Sequence, residues 1–169
     1  NIYGSYIENQ SFSSHYVVSF QYKLPSTTVR LESYLKQYSH LPLFEDNKIT
    51  LNGKGKSYGV DFFLEDNSIS DNLTTTLSYS YNHTRRRYLE YVDDVQPQYA
   101  TAHNLAVSLK YNIPQIKCIL GLSENIASGR PYTNPAEVGK LQYLTKPYFS
   151  TGINVSYLAS PSVIIYASV

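Results

Sequence analysis

The chain has 169 residues, a formal net charge of +1 and a charged fraction of 16%, below the roughly 25% usual for soluble domains. No basic run exceeds the three consecutive arginines Arg85, Arg86 and Arg87, so no nucleic-acid partner is expected. The single cysteine, Cys118, excludes an internal disulfide framework, and no apolar run approaches the ~20 residues of a transmembrane helix.

Alternating apolar and polar residues predict eight β-strands, most of them near the roughly 9–11 residues that cross a bilayer at a tilt. In chain order they cover residues 14–24, 28–38, 56–65, 72–83, 104–112, 115–126, 148–158 and 162–169. The segment LTTTLSYSYN (73–82) shows the pattern most clearly, with Leu and Tyr on one face and Thr, Ser and Asn on the other. Glu124 interrupts the apolar side of the sixth strand, and the last strand is apolar on both faces over 163–165.

The connections between these strands alternate in length. Short segments (PST, DNSISD, IP and ASP) alternate with long ones at about 39–55, 84–103 and 127–147. This order is typical of an antiparallel up-and-down meander of the outer-membrane type, and a Greek-key sandwich rarely keeps it. We therefore predict an all-β fold of about eight strands that is part of a larger transmembrane β-barrel.

The non-apolar face of these strands carries mainly Thr, Ser, Asn and Gly, where a soluble sheet carries abundant Lys and Glu. Arg30, Glu32 and Lys36 share this face at spacings of two and four residues, so they are expected to line a wet lumen and contact a plug or one another. An edge strand of a soluble sheet is the alternative explanation of this charge ladder.

The direction of the strands predicts that the barrel is larger than this chain. If the short turns are periplasmic, the first strand runs downward and the eighth upward, so both chain ends lie at the outer side. Complete barrels are expected to have both termini in the periplasm. Residues 1–169 are therefore expected to form a single barrel segment, with at least one further strand beyond each end and no plug domain.

Five phrases together resemble the late barrel strands of TonB-dependent outer-membrane receptors, in the style of the Bacteroidetes. They are RLESYLKQYSHLP (30–42), NGKGKSYGVDFFLED (52–66), LSYSYNHTRRRY (77–88), ATAHNLAVSLKY (100–111) and ASGRPYTNP (127–135). The resemblance implies the C-terminal part of a barrel of about 22 strands with a plugged lumen. It also implies an outer-membrane location and uptake of a scarce solute (a siderophore, vitamin, glycan or peptide).

The same resemblance implies the partners of the whole protein. They are outer-membrane lipid, the protein's own plug domain and a TonB-type energy-coupling protein, the last two acting through parts that this sequence lacks. A surface lipoprotein is a further candidate partner, and the solute stays open.

Two of the long connections carry the candidate solute contacts. They are Arg85, Arg86, Arg87, Tyr88 and Tyr91 in RRRYLEYVDD (85–94), and Arg130 and Tyr132 in GRPYTNP (129–135). Arginine binds anionic groups through charge-assisted hydrogen bonds, and tyrosine offers a flat apolar surface with a polar end. A solvated rim cluster, balanced by neighbouring acids or by lipopolysaccharide, is the alternative.

No catalytic motif or metal-ligand spacing is evident. His83 and His103 flank one long connection but lack the tighter ligand spacing of zinc sites, and NGKGKSYG leads into a strand and not into a phosphate-binding helix. Its glycines are expected to serve turn or bulge geometry. We therefore expect no metal, no cofactor and no enzymatic activity. The alternatives are a self-contained eight-stranded structural or adhesive barrel, and a soluble sandwich that binds carbohydrate through its 18 tyrosines.

Overall fold

The computed structural model describes residues 10–134, 136, 141 and 143–169. Its elements are β1 (Phe12–Lys23), β2 (Thr27–Glu45), β3 (Lys48–Ser70), β4 (Leu73–Tyr88), β5 (Tyr91–Val95), β6 (His103–Ile113), a 3-10 helix (Pro114–Ile116), β7 (Cys118–Ala127), β8 (Pro131–Tyr132), β9 (Tyr143–Leu144), β10 (Tyr148–Ser160) and β11 (Val163–Ser168). Within these ranges no helix is long and apolar enough to span a membrane.

Eight of these strands form one antiparallel meander. They pair in the order β1-β2-β3-β4-β6-β7-β10-β11, while β5 adds a ninth strand by pairing with β4, and β8 and β9 form a separate two-stranded sheet. The predicted all-β meander of eight strands is therefore confirmed. In this order β1 and β11 are the two edges of an open sheet.

The β2–β3 hairpin is much longer than predicted. Its strands have 19 and 23 residues, and most of the segment 39–55, expected to be a loop, is paired strand. The reason lies in the turn, where Asp46 and Asn47 have φ angles of 51° and 59°. Two consecutive residues with positive φ match the twist of paired strands and allow a tight hairpin turn, so backbone pairing continues almost to the tip.

The other two long connections also contain strand. β4 continues to Tyr88, and β5 follows a turn at Leu89, whose φ is 52°. The connection 127–147 contains β8 and β9, and its residues 135, 137–140 and 142 lie outside the described residues.

At the short-turn end, β7 starts later than predicted. Residues 115–117 were expected to be strand, but Pro114–Ile116 form a 3-10 helix and Lys117 has a φ of 53°. Pro114 has no backbone N–H for a ladder, and its fixed φ favours the first turn of a helix. The strand therefore begins only at Cys118.

The strand register produces one apolar face and one polar face across the whole sheet. One row of cross-strand neighbours on the apolar face is Phe20, Leu31, Phe62, Tyr79, Leu105, Ile126 and Phe149. One row on the polar face is Lys23, Thr28, Glu65, Thr76, Ser108, Ser123 and Gly152. Glu124 interrupts the apolar face as predicted, and Thr151 of the neighbouring strand donates a hydrogen bond to its carboxylate.

The apolar face is exposed, and the described residues bury almost no apolar core. Val18 is 72% exposed, Phe20 62% and Ile153 55%, whereas the buried hydrophobic residues of the described chain are only Leu43 and Ala100. A soluble domain does not leave a continuous apolar face of this extent in water. The face is the lipid-facing surface expected of a membrane barrel.

Candidate functional site

Aromatic side chains border the apolar face at both of its ends. The upper girdle, near the long connections, is Tyr16, Tyr58, Tyr79 and Tyr81, and the lower girdle, near the short turns, is Tyr22, Tyr111 and Tyr157. Tyr16 and Tyr22 are six positions apart on β1, or about 20 Å along a strand. This spacing is close to the ~25 Å apolar band of outer-membrane barrels, so the strands cross a bilayer between the two girdles.

Two histidines, His83 and His103, contact tyrosines of the upper girdle. The rings of His83 and Tyr58 are 4.9 Å apart, and the Tyr79 hydroxyl lies 2.8 Å from Nδ1 of His103. Among the described residues no group of three or more His, Cys, Asp or Glu could hold a metal ion. Both imidazoles therefore belong structurally to the aromatic girdle.

The charge ladder Arg30, Glu32 and Lys36 lies on the polar face, as its spacing predicts. The Arg30 guanidinium is 5.4 Å from the centroid of the Phe63 ring, and the Lys36 ammonium is 4.8 Å from the centroid of Tyr34. Both cations thus interact with aromatic rings. Their contact with a plug stays a prediction.

The pleat of β4 divides the predicted arginine cluster between the two faces. Arg86 and Tyr88 lie on the polar face, whereas Arg85 and Arg87 lie on the apolar-face side, beyond the upper girdle. Tyr91 is opposite Tyr88 in the β4–β5 pair, with the ring centroids 5.9 Å apart. Of the five residues, only Arg86, Tyr88 and Tyr91 can therefore act together at the mouth of the lumen.

Arg86 is clamped between two tyrosines at this mouth. Its guanidinium carbon is 4.5 Å from the ring centroid of Tyr38 and 5.9 Å from that of Tyr99. Gly55 lies between Arg86 and Tyr38 in the sheet, and a Cβ there would be 2.9 Å from Cγ of Arg86. Gly55 was expected to serve a turn or bulge, but it lies inside β3, and its function is to leave space for this contact.

A polar network lies beside the clamp on the same face. Ser57 and Tyr34 each donate a hydrogen bond to Oδ1 of Asn82, at 3.0 and 3.1 Å. Nε of Arg86 and Oγ1 of Thr84 are buried and have no hydrogen-bond partner. A buried polar atom without a partner is costly, so these two atoms are the least satisfied polar groups of this network.

Tyr88 adds a neutral phenol to the mouth. Burial raises the pKa of Tyr88 above its ordinary value, and the neighbouring Tyr99 raises it further, while Arg86 acts in the opposite direction. Tyr88 therefore keeps its hydroxyl proton throughout the neutral pH range and remains a hydrogen-bond donor.

The other predicted contacts, Arg130 and Tyr132, lie in a different part of the structure. The Arg130 backbone N–H donates to Oγ1 of Thr145 at 2.9 Å, and the Tyr132 ring packs 5.7 Å from that of Tyr143. These contacts hold together the small β8–β9 sheet, which is separate from the main sheet. Solute contact by Arg130 and Tyr132 stays a prediction.

Arg87 forms an ion pair on the other face. Its Nη2 is 2.7 Å from Oε1 of Glu45, and each side chain is about a third exposed, at 34% and 31%. Ion pairs of this exposure contribute about 0–1 kcal/mol.

We expect Glu45→Gln to lower the free energy of unfolding of the full-length protein by less than about 1 kcal/mol, as measured by denaturant titration. A loss of several kcal/mol would show that the pair is structurally essential.

Three residues of the mouth were absent from the sequence prediction. Tyr38 and Asn82 share the parity of Arg86 on their strands, so the alternation could have identified them. Tyr99 lies in the irregular segment between β5 and β6, where no periodicity indicates the direction of a side chain.

The exposed apolar band, the two girdles and the polar opposite face define a segment of a transmembrane β-barrel. The solved structures with this fold include two transport proteins of other bacteria. The ferric yersiniabactin uptake receptor FyuA from Yersinia pestis matches with a TM-score of 0.74 and 12% identity, over 94% of this chain and 24% of its own. The FrpB iron transporter from Neisseria meningitidis (F3-3 variant) matches with a TM-score of 0.73 and 12% identity, over 94% of this chain and 26% of its own.

These neighbours agree with the sequence predictions at the level of the fold. Both are TonB-dependent receptors of the outer membrane of Gram-negative bacteria, and the likeness confirms the predicted barrel fold. Both are receptors or transporters and not enzymes. The chain spans about a quarter of the length of each. No protein-family model and no curated protein matches the sequence.

Proposed function

We propose that this chain forms part of the barrel wall and outer mouth of a TonB-dependent transporter that imports a scarce nutrient. The observation that carries the proposal is the division of the sheet into two faces. One face is an apolar belt between two girdles, and the other carries a polar mouth centred on Arg86. A lipid-embedded wall with a solvated, solute-binding interior needs this arrangement. In this role the chain catalyses no reaction and needs no cofactor.

The chemistry of the mouth favours an anionic solute. Tyr38 and Tyr99 interact with Arg86 through their ring faces, so the N–H edge of the guanidinium is available for carboxylate, phenolate or phosphate oxygens. Since FyuA takes up ferric yersiniabactin and FrpB is an iron transporter, an anionic ferric chelate is the first solute class to test. Vitamins, glycans and peptides are the other classes.

The partners follow from the same proposal. A plug domain would fill the lumen against the ladder Arg30, Glu32 and Lys36, and a TonB-type protein would supply energy through the plug. A surface lipoprotein on the outer loops and an origin in the Bacteroidetes stay predictions.

The clamp provides the test of this function. In the full-length transporter we expect Arg86→Ala to weaken binding of an anionic solute about tenfold, because one charge-assisted hydrogen bond is lost. The measurement is uptake of labelled ferric chelates by cells that depend on this transporter. Lys48→Ala, which removes one cation at the tip of the β2–β3 hairpin, is the matched control.

Two outcomes separate the possibilities. Loss of uptake in Arg86→Ala with retention in Lys48→Ala supports solute binding at the mouth. Equal uptake by the two variants, for every anionic solute that the wild type imports, would place the solute contacts elsewhere.

The sheet itself disfavours the two alternative functions. A self-contained eight-stranded barrel requires β1 to pair with β11, but these two strands are the edges of the described sheet. A carbohydrate-binding sandwich requires a second large sheet packed on the apolar face, and the described residues form only one large sheet.

A further inference from the structure

Four cations lie together on the outer side of the sheet, beyond the upper girdle. Lys54 and Lys56 of β3 lie opposite Arg87 and Arg85 of β4, and the register places all four on the same side as the apolar face. They therefore point away from the lumen and from Arg86. We call these four residues the basic array.

The height of the basic array matches the headgroup layer of the membrane. Lys56 and Lys54 lie two and four positions from Tyr58 of the upper girdle, on its side toward the long connections. These separations correspond to about 7 and 14 Å along the strand. Tyrosines of a girdle mark the boundary between hydrocarbon and headgroups. The cations that follow them on the same face lie where the headgroups begin.

The array lacks enough anionic partners of its own. Like charges directly opposite each other on neighbouring strands repel, and this arrangement occurs twice, at Lys56–Arg85 and Lys54–Arg87. Within the described residues the only ion pair is that of Arg87 with Glu45. Lys54, Lys56 and Arg85 are thus left without a salt bridge in this part of the chain.

A cavity of about 530 Å³ adjoins the array. Lys54, Lys56 and Arg85 line it together with Tyr58 and His83, and its one acidic lining residue is Asp94. Its lining therefore combines an aromatic floor, continuous with the lipid-facing belt, with a basic rim. An amphipathic molecule with an anionic head would satisfy both parts.

We propose that the basic array binds the phosphate groups of a lipid in the outer leaflet, with the acyl chains of that lipid lying along the apolar belt. The position of the array and its charge both select this ligand. A solute in transit contacts the polar face, whereas a membrane lipid is the abundant anion that reaches the apolar-face side at this height. Clusters of Lys and Arg at a membrane surface recognise phosphorylated headgroups by charge. This inference depends on the transmembrane fold and not on the identity of the transported solute.

The test measures lipid binding by the purified full-length protein. The probe is a bisphosphorylated glucosamine-disaccharide lipid, its dephosphorylated form is the matched control ligand, and binding is followed by native mass spectrometry in detergent. We expect the wild type to prefer the phosphorylated form by at least about tenfold. The double variant Lys56→Gln/Arg85→Gln should lose about 100-fold in affinity, since each removed cation contributes about tenfold.

Three controls make the result decisive. Lys110→Gln, which removes one positive charge from the polar face near the short turns, should bind like the wild type. Lys56→Arg should retain binding, and heat-modified mobility in gels verifies that each variant is folded. A double variant that binds like the wild type, or equal binding of the two lipids, would overturn the proposal. Displacement of the lipid by inorganic phosphate at equal concentration would also overturn it, because the site would then recognise a free anion.

Discussion

Leu77→Arg is expected to destabilise the barrel by about 2–4 kcal/mol, the cost of an arginine facing lipid near the bilayer midplane. Leu77 lies on the apolar face between Leu64 and Val107. On β4 it is two positions from Tyr79 and four from Tyr81, both of the upper girdle, and four from Leu73, the neighbour of the lower-girdle residue Tyr111. Because the Tyr79 hydroxyl is directed upward to His103, Leu77 lies inside the apolar band below the tyrosine hydroxyls, where a guanidinium has a long path to water.

The adjacent residue provides the matched control. Ser78 lies on the polar face between Phe63 and Ala106, so Ser78→Arg places the same charge in the lumen and should be tolerated better. The free energy of unfolding of the full-length protein in lipid vesicles measures both effects. Equal losses for the two variants would contradict the assignment of the apolar face to lipid.

Alternation of residue types predicted the sheet because one physical cause acts along its whole length. Lipid on one side and water on the other impose a period of two on every crossing strand. That period correctly predicts that Leu77 lies on one face and Arg30 on the other. The short turns were also predictable, because their Pro, Ser and Asp residues are favoured in turns.

The same rule failed where both faces of a strand are wet. Beyond the girdle β2 and β3 continue through residues 39–55, but a hairpin above the membrane needs no alternation of apolar and polar residues. Only the turn residues Asp46 and Asn47 carried a signal there. The Arg86–Tyr99 contact could not be predicted, because it joins a strand to an irregular segment and depends on tertiary placement alone.

The arginine run was interpreted as a single cluster because it was assigned to a loop, where the alternation of a strand does not apply. Consecutive residues of a strand point to opposite faces, so three adjacent arginines cannot share one ligand once β4 extends through them. Extending the predicted strand (72–83) by five residues, to Tyr88, would have assigned Arg86 to the lumen and Arg85 to the outer surface. The two roles proposed for these neighbours, solute binding and lipid binding, follow from this division.

Gly59→Val is expected to cost about 1–3 kcal/mol, because the new side chain has no space. A Cβ at residue 59 would lie 2.2 Å from the carbonyl oxygen of Tyr81 and 2.6 Å from the hydroxyl oxygen of Tyr34. The Tyr34 ring crosses the strand over Gly59 to donate its hydrogen bond to Asn82. Valine must therefore displace both a neighbouring backbone and an aromatic ring.

Two further variants separate these contributions. Tyr34→Phe keeps the ring and removes only the hydrogen bond to Asn82, so it should cost about 0.5–1.5 kcal/mol. Ala106→Val enlarges another residue of the polar face, whose cross-strand neighbours are the small or polar residues Ser78 and Asn125, and should be nearly neutral. Denaturant unfolding of the full-length protein in vesicles gives all three values. If Gly59→Val were as stable as Ala106→Val, the tyrosine would have an alternative position, and the order of the mouth would not depend on the glycine beneath it.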